Sequence, residues 1–228
     1  MMVLAVVVAT TVSLTIGFQR TNAANTSRQD QIDVARTAVE RMSKTVRTAV
    51  KPSQLSTCTG CTADAFLSAG DFSVQFYANL DNSGNITGPS RISYSIATTG
   101  VDAAVLIEKA QVPDANPPTG SGYVYCDAEA TGANAACKAR LVTHRLAAGV
   151  SAVTGAPVFK YYDTAGTRMI PAAGASLTAA QMTTLLAVEV AVSVRSPGAT
   201  AVGPTTYVQR ITMPNSQAVF RLNEVPTS

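Results

Sequence analysis

The chain has 228 residues, 46% hydrophobic and only 14% charged, with a formal charge of +3. Residues 1–51 hold seven Lys/Arg against three Asp/Glu, whereas residues 52–228 hold ten against eleven, so the basic surplus lies in the N-terminal segment. No Lys/Arg cluster interleaved with aromatics occurs, which argues against a nucleic-acid partner, and residues 53–228 suffice for one domain with its own core.

The run Met1 to Phe18 carries no charge, and Arg20 is the first ionisable side chain. A helix of about 20 apolar residues crosses the hydrocarbon core, with a range of roughly 17–25, so this run is just long enough. Its large side chains, Val3, Leu4, Val6, Val7, Val8, Val12, Leu14, Ile16 and Phe18, are the candidate membrane contacts. Thr10, Thr11, Ser13 and Thr15 are small polar residues suited to helix–helix contacts in a membrane. A cleavable signal peptide would need a basic n-region and a small-x-small site. Nothing basic precedes Val3, and Asn22-Ala23-Ala24 puts Asn where a small residue belongs, so a retained anchor is expected.

Beyond Arg20 the pattern turns amphipathic. Ile32, Ala35, Val39, Met42, Val46 and Ala49 fall at alternating steps of 3 and 4, one apolar stripe on a helix. Glu40 and Lys44 form an i,i+4 pair of favoured orientation. Pro52 ends the pattern. The spacing predicts one helix from about Val3 to Val50, with its C-terminal half packed through Val39, Met42 and Val46 on a sheet.

The remainder reads as strand. Phe72, Val74, Phe76, Ala78 and Leu80 alternate with polar residues, and Arg91 to Thr98 alternates with Ile92, Tyr94 and Ile96 on one face; the two predict a hairpin around the loop DNSGNITGPS. Val101 to Val112 is a third strand, followed by a Pro/Gly loop over 115–122. Leu141 to Val153 and Pro157 to Tyr162 are further strands, and Asp163 to Gly166 is a turn. Thr178 and Gln181 have capping-box spacing and predict a short helix to about Leu186. Val188, Val190, Val192 and Val194 line one face of the clearest strand, and Tyr207 to Met213 is the last, ended by Pro214.

Three stretches taken together resemble a known family: MMVLAVVVATTVSLTIG with the amphipathic helix ending RMSKTVRTAV, then LAAGVSAVTGAPVFKYYDTAG, then MTTLLAVEVAVSVRS with TTYVQRITMPN. In this order they are similar to type IV pilins and type II secretion pseudopilins, most of all the larger, tip-located J-type minor members. The resemblance implies a pilin-like α+β fold: a fibre-core and transmembrane helix over 1–18, its amphipathic continuation over 19–51, and a β-rich head over 52–228. It makes the apolar residues of the first segment assembly contacts as well. The family's basic leader, its Gly and its Glu do not appear, and MMVLAVV resembles the part that follows that Glu. The expectation is therefore a short leader upstream of Met1. That leader would also reconcile orientation, since the positive-inside rule alone places Arg20 to Lys51 in the cytoplasm whereas the family places it outside.

Cys58, Cys61, Cys126 and Cys137 allow three pairings, and spacing does not choose between them. For an extracytoplasmic head disulfides are expected, with local pairing, Cys58–Cys61 and Cys126–Cys137, preferred. Zinc would want a second C-x-x-C, and a redox C-x-x-C would want a strand before it where Pro52 to Thr57 reads as loop. Asn79, Asp81, Ser83 and Gly84 mimic the front of a calcium loop, but position twelve is Ser90 and one carboxylate is present, so a plain hairpin loop is expected. His144 is the only histidine, in an apparent strand, and no nucleophile, phosphate-loop or metalloprotease motif occurs. Asn25 and Asn85 open N-x-[ST] sequons, meaningful only in a eukaryotic secretory setting.

No enzyme activity, metal or cofactor is expected. The resemblance implies a minor pilin or pseudopilin that primes or caps a fibre. Its implied partners are other pilin subunits, an inner-membrane assembly platform and membrane lipid. Its implied place is a single pass of the cytoplasmic membrane with the head outside, then the cell-surface fibre. The alternative is a membrane-anchored, extracellular β-rich adhesin.

Overall fold

The computed structural model describes residues 2–56, 58, 60–97, 99, 103–153, 155–196 and 202–213, with the side chains of residues 2 and 4–6 outside that set. The architecture is α+β: one long N-terminal helix packed on antiparallel sheets. Helix α1 spans Met2–Arg47 and passes through Gly17 and the change from apolar to polar sequence without interruption.

The helix stops at Arg47 rather than Val50 because a strand takes over its last groups. Thr48 N and Ala49 N bond back to Thr45 O and Val46 O, both at 3.0 Å, tightening the final turn. Val50 N then donates to Tyr77 O (2.9 Å) and Asn79 N donates to Thr48 O (2.8 Å). Lys51 precedes proline, which disfavours the helical region. Pro52 does not open a loop: it begins a short helix, α2 (Pro52–Leu55), in the position where its missing N–H is not needed.

The first sheet has the order β1 (Phe66–Ala69), β2 (Ser73–Ala78), β3 (Ser90–Ile96), β4 (Val105–Gln111), β5 (Leu141–Ala148), every pair antiparallel. β2 and β3 are the expected hairpin. β1 and the short helix α3 (Ala135–Ala139) were not anticipated from periodicity, being too short to show one. β5 ends at Ala148 rather than at Val153. The expected strand ends Thr98, Val101 and Pro214 lie outside the described residues.

The second sheet combines β6 (Phe159–Asp163), β7 (Arg168–Met169), β8 (Leu185–Val194) and β9 (Thr205–Thr212) in the order β7-β6-β8-β9. Helix α4 (Ala179–Thr183) has the expected Thr178/Gln181 capping box but is shorter than expected, because β8 already begins at Leu185. Asp163 is the turn residue its sequence suggests: its Oδ1 accepts from Ala165 N (2.9 Å) and Thr167 N (2.8 Å).

One chain segment joins the two sheets. After β5, Arg195 N donates to Gly149 O (2.9 Å), Val150 bridges Val194, and Ser151 N donates to Ser193 O (2.8 Å). Gly149 has φ +71°, and a Cβ there would collide with Arg195 O, so only glycine makes this crossing.

Helix α1 packs on β5, β8 and β9, along the junction of the sheets. Ala35, Val39, Met42, Val46 and Ala49 are buried there with Phe76, Tyr94, Val188, Val190, Val192 and Ile211. Ile32 departs from the expected stripe: it is 43% exposed, and Gln31 is fully buried in its place. The reason is the step of four from Ala35 back to Gln31, which follows the ridge toward β9. There Thr205 Oγ1 donates to Gln31 Oε1 at 2.9 Å.

Candidate functional site

Two surfaces carry the chemistry: the free half of α1 and the far face of the second sheet. In the free half Val3, Val7, Val8, Val12, Leu14, Ile16 and Phe18 are all exposed, Leu14 and Phe18 at 75% each. The side chains of Leu4 and Val6 lie outside those described.

The hydroxyls in this half turn inward on their own helix. Thr10 and Thr11 donate to Val7 O at 2.9 and 2.8 Å, and Thr15 donates to Thr11 O at 2.8 Å. A hydroxyl satisfied in this way presents mainly its methyl group, so the surface behaves as more apolar than its composition suggests. Ala9, Ser13 and Gly17 repeat at intervals of four and, with Leu14 and Phe18, outline a shallow depression along one side. Small residues at that interval let another helix approach closely.

Among the described residues, no helix is long and apolar enough to cross a membrane. Val7 to Phe18 alone rises only about 18 Å, short of the roughly 30 Å hydrocarbon core.

The polar half is tied to the head by a buried carboxylate. Glu108 in β4 is 2% exposed and lies on the core face, between Leu106 and Ala110 in the alternation. Arg41 Nη2 donates to its Oε1 at 2.6 Å, Arg41 Nε reaches both oxygens, and the Tyr94 hydroxyl donates to Oε2 at 2.6 Å. The hydrogen bond to Glu108 raises the Arg41 pKa, and burial pushes the Tyr94 hydroxyl far up, with Glu108 adding to it. The expected Glu40–Lys44 pair is not the one seen: Glu40 pairs with Arg36 at 2.7 Å.

The far face of the second sheet carries a cross-strand ladder. Lys160, Glu189 and Arg210 sit opposite one another on β6, β8 and β9. Glu189 accepts from Lys160 (2.8 Å), Tyr162 (3.0 Å) and Arg210 (3.2 Å), and the Lys160 bond is the main cause of its lowered pKa. The Arg210 guanidinium lies 3.7 Å from the Tyr162 ring centroid.

The cysteines form Cys58–Cys61 and Cys126–Cys137. The first closes a loop packed on Gly122, and side chains at Gly60 or Gly122 would overlap the facing backbone. The second closes a longer loop in a segment that folds over the outside of the first sheet, where the Tyr125 ring lies tilted against Tyr77, centroids 5.8 Å apart. Replacing Cys126 and Cys137 together by Ser is expected to lower unfolding free energy by about 3 kcal/mol. Removing Cys58–Cys61, which closes a shorter loop, is expected to cost less; urea denaturation of each double variant measures both.

The loop 79–89 is organised by an amide. Asn82 Nδ2 donates to Asn79 Oδ1 (2.8 Å) and Asn85 Oδ1 (3.0 Å), and its Oδ1 accepts from Thr87 N (2.9 Å) and Gly88 N (3.2 Å). Asn79, Asp81 and Ser83 are exposed. Among the described residues no group of His, Cys, Asp or Glu could hold a metal ion. His144 lies in β5 opposite Glu108. No protein-family model, curated protein or solved structure matches the chain.

Glu108, Asn82 and the 160–189–210 ladder escaped the sequence reading. Glu108 alone left a trace there, as a charge at a core position of the alternating strand VLIEKAQ. Asn82 looked like any loop residue, and the ladder joins positions far apart in sequence.

Proposed function

We propose that the chain is a minor subunit of a type IV pilin-like fibre, anchored through the apolar half of α1 and carrying an extracytoplasmic head. The observation that carries this is the division of one unbroken helix: one face of its last turns, from Gln31 to Val46, is buried along the junction of two antiparallel sheets, while Val3, Val7, Val8, Val12, Leu14, Ile16 and Phe18 are left uncovered. A lone domain gains nothing from such an extension. In a fibre, the free halves bundle with those of neighbours and the sheets face outward. The membrane role rests on the whole run Met1 to Phe18 in the sequence, which includes residues whose side chains are not described.

A minor rather than a repeated position is favoured by the irregular surface of the head. The loop 79–89, the segment 112–134 and the loop 171–178 would each have to pack identically at every step of a fibre. Quantitative immunoblotting of sheared fibres, set beside the major subunit, tests this. The expected result is a small fraction of the major subunit's amount and loss of surface fibres on deletion. Equal stoichiometry would overturn the minor assignment, and normal fibres in the deletion strain would favour an anchored adhesin instead.

A further inference from the structure

We propose that the far face of the second sheet binds a carboxylated polysaccharide, a chain of uronic-acid units. A groove of about 580 Å³ runs over this face, opposite the side covered by α1. Lys160 and Arg168 stand on it. Lys160 and Arg210 share the single carboxylate of Glu189, while Arg168 is exposed and has no ion pair among the described residues. The face is therefore positive in excess, although residues 52–228 as a whole are slightly acidic.

The groove floor is small and mixed. Ser151, Ser193 and Thr206 supply hydroxyls, and Val153 and Val208 supply exposed apolar patches. Sugar rings match that combination, with hydroxyls at their edges and C–H bonds on their faces. Their carboxylates suit the planar fork of Arg168.

Other polyanions fit less well. Single-stranded nucleic acid wants open aromatic faces on which bases stack. Tyr162, the ring that hydrogen-bonds into the ladder, is already covered by Arg210. An extended peptide would add along a strand edge, which in this sheet is the outer side of β9, whereas the groove lies over the face, above β8, which is hydrogen-bonded on both sides.

The test is isothermal titration of the full chain, held in a neutral detergent at low ionic strength. The titrants are tetragalacturonate, its full methyl ester, and an oligothymidylate of equal charge. Tetragalacturonate is expected to bind at least tenfold more tightly than the ester and more tightly than the oligonucleotide. Arg168→Gln is expected to weaken binding about tenfold with an unchanged melting temperature, and Thr206→Glu, placing a like charge in the groove, to weaken it similarly. Absence of tetragalacturonate binding, equal binding of the ester, indifference to both substitutions, or tighter binding of the oligonucleotide would each overturn the assignment.

Discussion

Val7→Asp is expected to remove the protein from sheared fibres almost completely while leaving the head folded. Val7 is 55% exposed on the free half of α1, far from the residues that bury against the sheets. The head therefore loses no contact, and circular dichroism and melting temperature should match the unsubstituted protein. The cost falls on insertion and assembly. A carboxylate in the middle of an apolar helix is unfavourable by about 3 kcal/mol on insertion scales, which lowers occupancy by roughly a hundredfold. Val7→Leu keeps the apolar surface and should incorporate normally. Incorporation of Val7→Asp at the unsubstituted level would show that the free half of α1 is not the assembly surface.

Arg41→Ala is expected to destabilise the head by about 2–3 kcal/mol. Removing one partner of a buried ion pair usually costs about 3–5 kcal/mol, because the other charge stays buried without compensation. The lower figure applies because the Arg41 side chain is 47% exposed and water can partly replace it, whereas Glu108 is not. The Tyr94 hydroxyl remains as a donor but carries no charge. Adding Glu108→Gln to Arg41→Ala should recover part of the loss, since the remaining group is then neutral. Urea denaturation followed by tyrosine fluorescence measures both variants. A change below about 0.5 kcal/mol in Arg41→Ala would show that the apolar stripe alone holds α1 on the sheets.

What the sequence made legible was whatever depends on near neighbours. The length of α1 follows from an uncharged run that continues into steps of 3 and 4, and β2, β3 and β8 follow from strict alternation. The Thr178 cap and the Asp163 turn are also local. The helix register was harder. Ile32 is the better hydrophobe, yet Gln31 is buried, because β9 lies about 170 residues away in sequence and decides which side of that turn is covered. The stop at Arg47 likewise depends on Tyr77 and Asn79 accepting and donating across from β2. The cationic face was illegible for the same reason. Lys160, Arg168 and Arg210 are scattered along the chain, and only strand pairing gathers them.

The join between α1 and β2 bears on mechanics. For the fibre subunit proposed above, tension along the rod would reach the head at Thr48 to Val50. There the backbone is fastened to the end of β2 by two hydrogen bonds, with Ala49 bridged to Ala78 between them. The same pull also acts through Arg41 on Glu108 and through the buried stripe on β8 and β9. Under that proposal, load entering from the rod would meet contacts to both sheets rather than to a single strand.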